Sequence, residues 1–364
     1  MITLVPTELN NILRREQLVT AIKSGRLSAT SIFSGIGTLD CALQDGFAQH
    51  GLELNTLVAN DCWDKATTGY LSNLQNMHSG ASVVSHTVGI EQLIAGQAVD
   101  LSNTDLLVAG LVCKGASKLN VATRDLPESH REAGHQFINV LMLMAQSGFS
   151  VPMLLVENVV PYTSTIGYML LCRVLEEQGY QCVLVGDHSG TAYDGINGHA
   201  YGDFERRKRM CLLVLPSGVE FEQSGLEKYK SINQRTIAQI REPECMIDQK
   251  DYTKGQNLFS EKKRSKGWRT KIVQDTETST HVLSAQCYKQ RSEDPRFAHP
   301  EGEGSRIPTV IEHARLKGHP ESMIDALPLQ THAHEALGNG VMRKAFVAVG
   351  AVIAQNMKRW ACID

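Results

Sequence analysis

Asp105-Leu-Leu-Val-Ala-Gly-Leu-Val-Cys-Lys-Gly-Ala-Ser117 is an apolar run that enters a glycine-bounded turn carrying a thiol, Cys113. Leu and Val in succession, without polar alternation, suit a strand buried on both faces, as in a parallel sheet. In such sheets functional groups stand just beyond the carboxyl ends of the strands, which is where Cys113 falls. Lys114 follows it and would favour a thiolate, while Gly110 and Gly115 let a ligand or another backbone approach closely. A cysteine at an apolar strand end is more often a small core residue than a nucleophile, so the flanking segments have to decide.

Upstream, Thr30-Ser-Ile-Phe33 reads as a strand entering Ser34-Gly-Ile-Gly-Thr-Leu-Asp40, and Leu39, Ala42, Leu43 and Phe47 mark a helix after it. A strand, a glycine turn and a helix N-terminus cradle nucleotide-like cofactors, because the first helical amides face the ligand. Gly35 and Gly37 match the first two glycines of the dinucleotide fingerprint, but Asp40 stands where the third belongs, which argues against a nicotinamide cofactor. Leu57-Val-Ala-Asn-Asp61 is the next strand. Asp61 at its end suits the two hydroxyls of a ribose, and Trp63 suits a purine face or the core. Residues 7–24 read as an amphipathic helix carrying Leu9, Ile12, Leu13, Val19 and Ile22, and residues 81–88 as a weaker strand. Strands alternating with helices imply right-handed crossovers and a parallel sheet.

Downstream, Phe137, Val140, Leu141 and Met144 recur at helical spacing and lead to Pro152-Met-Leu-Leu-Val-Glu-Asn-Val-Val160. Glu157 ends that strand with Asn158 beside it. A carboxyl buried among apolar groups is a proton donor near neutral pH, and a solvated strand-end carboxylate is the equal alternative. Cys182 to Val185 and Arg209 to Pro216 read as the last strands. Arg206-Arg207-Lys208-Arg209 leads directly into the second, which would bring guanidiniums to the sheet end to hold an anion; the usual alternative is a solvated charge run. From Ser217 to Ser305 the chain is polar and irregular. Within it, Lys262 to Lys271 packs six basic residues and Trp268 into ten positions, a pattern suited to a nucleic-acid backbone and also found in surface loops. Residues 307–318 and 341–357 read as helices, with the turn Leu337-Gly-Asn-Gly340 before the second.

A chain of 364 residues, 42% of them hydrophobic, can bury a full-sized core and divides into a large and a smaller domain. No run of about eighteen or more apolar residues occurs, and the first thirty residues lack a signal-peptide pattern, so no membrane association and a cytoplasmic location are expected. Nine cysteines without a Cys-x-x-Cys pair or a zinc spacing suit a reducing compartment and imply no metal. A net charge of −3 argues against a globally basic coat protein but leaves room for a locally basic cleft.

Taken in chain order, these segments resemble the DNA cytosine-5 methyltransferases, over most of the chain outside residues 217–290. Phe33-Ser-Gly-Ile-Gly37 is similar to that family's cofactor loop, Glu157-Asn-Val159 to its Glu-Asn-Val motif, and Arg207-Lys-Arg209 to the arginines of its Gln-x-Arg-x-Arg motif. Arg306-Ile-Pro-Thr-Val310 with Ala314-Arg-Leu-Lys-Gly-His-Pro320, and Gly338-Asn-Gly-Val341, resemble its closing segments. The resemblance implies an α/β fold: a doubly wound, Rossmann-like sheet that binds S-adenosylmethionine, with a second, smaller DNA-recognition domain. The division it suggests is a helical extension (1–27), a catalytic and cofactor-binding domain (28–216), a target recognition domain (217–305) and a segment returning to the catalytic domain (306–364).

The same resemblance implies a monomer acting on double-stranded DNA in a bacterial or virus-infected cell. The target cytosine flips out of the duplex, Cys113 adds to C6, and C5 takes the methyl group. Glu157 holds or protonates N3, Arg207 and Arg209 steady the base and its loop, and Val112, Lys114, Ser117 and Asn158 line the substrate. Phe33, Gly35 and Gly37 face the methionine part of the cofactor, Asp61 its ribose and Trp63 its adenine, with Asn339 and Val341 closing the pocket. The chain departs from the family at named places: Val112-Cys113-Lys114 replaces Pro-Cys-Gln, Glu205 replaces the motif glutamine, Ser31 replaces an acid, and Gly89 stands where an aspartate meets the adenine. Lys114 suggests an alternative donor, a carboxylated S-adenosylmethionine whose carboxymethyl group would pair with the ammonium. Two further alternatives are a relative that binds DNA without modifying it and one acting on transfer RNA, the latter disfavoured by the long basic segment.

Overall fold

A computed structural model describes residues 7–77, 83–116, 126–130, 133–253 and 259–362. Its centre is a nine-stranded sheet whose first five strands are parallel: β1 (Arg26–Ile32), β2 (Glu53–Asn60), β3 (Val84–His86), β4 (Leu106–Gly110) and β5 (Met153–Asn158). Then come β6 (Tyr180–Leu184), a hairpin of β7 (Asp187–Ser189) and β8 (Ala192–Asn197), and β9 (Lys208–Pro216). The order is β3-β2-β1-β4-β5-β9-β8-β7, with β6 on β9, and β9 runs antiparallel to both β5 and β6. Every residue of β5 is buried, as are Leu106 to Ala109 of β4, which is why both read as unbroken apolar runs.

Strand order reverses between β1 and β4, and at such a switch point the loops leaving the carboxyl ends diverge to form a crevice. Phe33 leaves β1 there and Cys113 follows β4. Helix α1 (Thr7–Ser24) precedes β1, and the crossovers are α2 (Thr38–Ala48), α3 (Asp64–Met77), α4 (Ile90–Ala95), α5 (Gln136–Gln146) and α6 (Ile166–Glu177). The sequence pattern missed the hairpin. The apolar face of α1 is buried only towards its end, at Leu18, Ala21 and Ile22; Leu9, Ile12 and Leu13 are about half exposed, and that part of the helix is held by Arg14, which is buried, stacks on Tyr180 and donates to the carbonyls of Phe149 and Gln178.

The chain divides into two compact units, residues 1–196, 208–228 and 346–364 in the first and 197–207 with 229–345 in the second. The second holds α7 (Glu261–Arg264), α8 (Val310–Leu316), α9 (Gln330–Asn339), the start of α10 (Arg343–Trp360), and a small sheet of β10 (Ile272–Val273), β11 (Arg296–Ala298) and β12 (Ser305–Arg306). With little regular structure, it relies on a small core around Phe204, Ile237, Phe297 and Leu316 and on buried ion pairs. Arg306 clasps Glu312 with two hydrogen bonds of 2.6 and 2.7 Å, and Glu312 also closes the capping box of α8 with Thr309. Among the described residues no single helix is long and apolar enough to cross a membrane.

Candidate active site

On the β1–β2 side the geometry is set by one carboxylate. Asp61 accepts the amide of Gly35 through one oxygen and that of Trp63 through the other, both at 2.9 Å, tying the loop after β1 to the loop after β2. Burial pushes its carboxyl up from the ordinary value, against the pull of those amides. Phe33 has φ of 53°, rare for a bulky residue, and Gly35 and Gly37 follow at 55° and 83°. A Cβ at Gly37 would press on the Tyr70 ring at 3.1 Å, while the same position at Gly35 faces open space. Asn60 donates to the carbonyls of His86 and Val88, fixing the loop after β3. Beyond it Glu91 leans over Gly89, 3.2 Å from where a Cβ would stand, and is held by His135 and Asn139. This side therefore offers an open glycine turn, a strand-end carboxylate and a half-buried indole, groups that could hold a nucleoside cofactor.

The β4–β5 side carries the reactive groups. Gly110 and Glu157 are register partners, and the amide of Leu111 donates to the carbonyl of Glu157 at 3.1 Å, so the Cys113 turn leaves the sheet beside the end of β5. Glu157 lies against Arg209: Nε meets the carboxylate at 2.9 Å, with the two side chains 11% and 10% exposed. The sequence reading of a carboxyl among apolar neighbours therefore needs a correction, because a guanidinium from β9 is paired with it. Val112 keeps its amide on Gln136 Oε1 at 2.8 Å, Cys113 is half-buried, and Lys114 is exposed with its charge acting on the thiol of Cys62, next to Asp61. Gly115 abuts the carbonyl of Pro127, and Glu128 accepts the amide of Gly167 at the start of α6, so the turn is braced from behind. The space beneath it is only about 10 Å³, room for a single water. Asn158 is buried with Oδ1 on the amide of Val159. Ser117 lies outside the described residues.

The remaining candidates belong to the second unit. Arg207 is 3% exposed and donates to the carbonyl of Gly338 at 2.8 Å, holding the last turn of α9. Asn339 is exposed at the end of that helix, and buried Val341 gives its carbonyl to His319 at 2.9 Å. The turn read at Leu337 to Gly340 is thus a helix end. Glu205 accepts from Lys317 at 2.8 Å and from the amide of Leu283. Sequence reasoning missed Gln136, Glu91 and Glu128, whose partners are 24 or more residues away or reached only through the fold; no short-range pattern marks them.

The sheet order, the antiparallel β9 and the smaller unit define the class: this chain has the cytosine-5 methyltransferase fold. Among solved structures it is similar to Dnmt2 of S. pombe, at 17% identity and a TM-score of 0.63 over 92% of this chain and 99% of that one. It is similar too to Dnmt2 of Spodoptera frugiperda, at 16% identity and 0.64 over 91% and 99%. A third match is a protein assigned as a DNA modification methyltransferase of an E. coli prophage, at 16% and 0.54 over 90% and 98%. No protein-family model and no curated protein sequence matches the chain.

Proposed function

We propose that this chain is an S-adenosylmethionine-dependent cytosine-5 methyltransferase acting on double-stranded DNA. One observation carries the reading: β4 and β5 are in register, so a half-buried thiol and a carboxylate clamped by arginine leave the sheet on adjoining strand ends. The sulfur of Cys113 adds to C6 of an extruded cytosine, forming a C–S bond and pushing electrons to C5. A proton shared between the Glu157 carboxyl and N3 holds that edge of the ring as the charge develops, and Arg209 fixes the carboxyl's direction. Phe33, Gly35, Asp61 and Trp63 would hold the donor, which would supply a sulfonium-bound carbon and leave as the neutral thioether when that C–S bond breaks. After C5 takes that carbon, loss of the C5 proton expels the thiolate and restores the ring. DNA rather than RNA is favoured by the basic segment of the second unit, where Trp268 is half exposed and Lys263 lies 5.5 Å from its ring.

A second reading concerns the donor. Lys114 acts on Cys62, on the cofactor side of the crevice, which favours a transferred group with a negative charge, as in a carboxylated S-adenosylmethionine. A duplex containing 5-fluorocytosine, incubated with the protein and either donor, tests both. A denaturation-stable adduct is expected with wild type, none with Cys113→Ser, and about 10²-fold slower formation with Glu157→Gln. Nucleoside mass analysis of ordinary duplex DNA then reads the product. A plain methyl with S-adenosylmethionine and no product with the carboxylated donor removes the charged-group reading, and adducts on a 5-fluorocytosine RNA alone remove the DNA reading.

A further inference from the structure

The second unit buries a cluster of metal-type donors that the proposed reaction does not use. Cys287 sits in the short turn Cys287–Lys289, His313 on α8 and His334 on α9, all three buried, with one donor atom from each within 4.8 Å of the others. Nδ1 of His313 and Nδ1 of His334 are 3.1 Å apart with rings tilted by 31°. Two nitrogens bound to one tetrahedral zinc at about 2.0–2.1 Å would stand about 3.3 Å apart, close to this separation.

We propose that Cys287, His313 and His334 form a three-ligand site for a zinc ion, which links three distant segments of the second unit. Spacings of 26 and 21 residues between the ligands follow no sequence pattern, so the expectation of no metal rested on sequence spacing alone. Nε2 of His313 has no hydrogen-bond partner, and the nearest carboxylate oxygen given for it, Oε1 of Glu205, lies 4.0 Å away, on the side of the ring turned from His334. Glu205 is itself fixed by Lys317 and the amide of Leu283. The charged groups acting on the cluster are two cations, Lys317 and Arg207, and three carboxylates, Glu205, Asp294 and Glu312. Binding converts the Cys287 thiol to a thiolate and releases one proton for each ion; a water completes the fourth position. Without metal the two histidines would share one N–H···N hydrogen bond and the thiol would be core packing.

Tag-free full-length protein, expressed in zinc-supplemented medium and dialysed against metal-free buffer, is analysed by elemental mass spectrometry. About one zinc per chain is expected, with Cys287→Ala and His334→Ala falling at least several-fold. Replacement by cobalt is expected to give a thiolate-to-cobalt charge-transfer band in wild type, and a strong chelator to lower its melting temperature. If the variants fail to fold, the wild-type cobalt spectrum decides. Substoichiometric zinc together with no charge-transfer band after incubation with cobalt would overturn the site.

Discussion

Asp40 shows how a single side chain carries two constraints. It occupies the first turn of α2, where the dinucleotide fingerprint has glycine, and it is 3% exposed beside Ser31 and Tyr70. Burial raises its carboxyl from 3.8 to about 6, against the pull of those two neighbours. Between these values the unfolded chain has lost the proton and the folded chain keeps it. Stability therefore falls as pH rises from about 4 to about 6 and then stays level, at a cost of about 2–3 kcal/mol. Asp40→Asn should flatten that part of the profile, matching wild type below pH 4 and exceeding it at pH 7 in urea titrations; parallel profiles would refute it. The residues legible from sequence, Cys113, Asp61 and Glu157, are those whose role follows from standing at a strand end. Gln136, which clamps Val112, and Arg209 as the direct partner of Glu157 depend on chain brought in from elsewhere. The departures at Ser31 and Gly89 each have an acid packed against them, Asp40 and Glu91, approaching from a different position.

At the scale of elements, the parallel half of the sheet was legible because strands covered on both faces leave no polar residue in the run, as in β4 and β5. The β7–β8 hairpin was not, because His188, Ser189 and Tyr193 lie half in solvent and show neither apolar run nor alternation. Helix–helix contacts were hidden for another reason: their signal is the absence of a side chain. Gly46 of α2 meets the backbone of α10 at Val347 and Ala351, and a Cβ at Gly350 would lie 2.7 Å from the carbonyl of Leu43. The two helices cross at backbone contact, and backbone does not yield as a side-chain tip does. Gly46→Ala should gain helix propensity yet lose about 1–3 kcal/mol from forced separation, read as a lower urea midpoint at unchanged slope. A midpoint at or above wild type would mean that the helices separate freely.

At the scale of the molecule, composition misleads: a net charge of −3 conceals a strongly basic local surface. In the second unit a cavity of about 290 Å³ is lined by Arg235, Arg315 and Lys344 together with Gln239, Ile240, Gly318 and His319. Two of the cations are committed within the fold, Lys344 to the carbonyl of Gly202 and Arg315 to Glu321 and the carbonyl of Ile240. Arg235 is exposed, with its guanidinium 5.0 Å from the Phe204 ring centre, a placement that stiffens the side chain without neutralising it. If duplex DNA is the substrate, this is a seat for a backbone phosphate, and its contribution is counterion release rather than base reading. Arg235→Ala should then weaken binding to cognate and unrelated duplexes by the same factor. It should also reduce the slope of log affinity against log salt by about 0.9, and leave the rate of 5-fluorocytosine adduct formation at saturating DNA unchanged. A loss confined to the cognate duplex would instead make Arg235 a reader of bases, and an unchanged slope would remove this cavity from the DNA path.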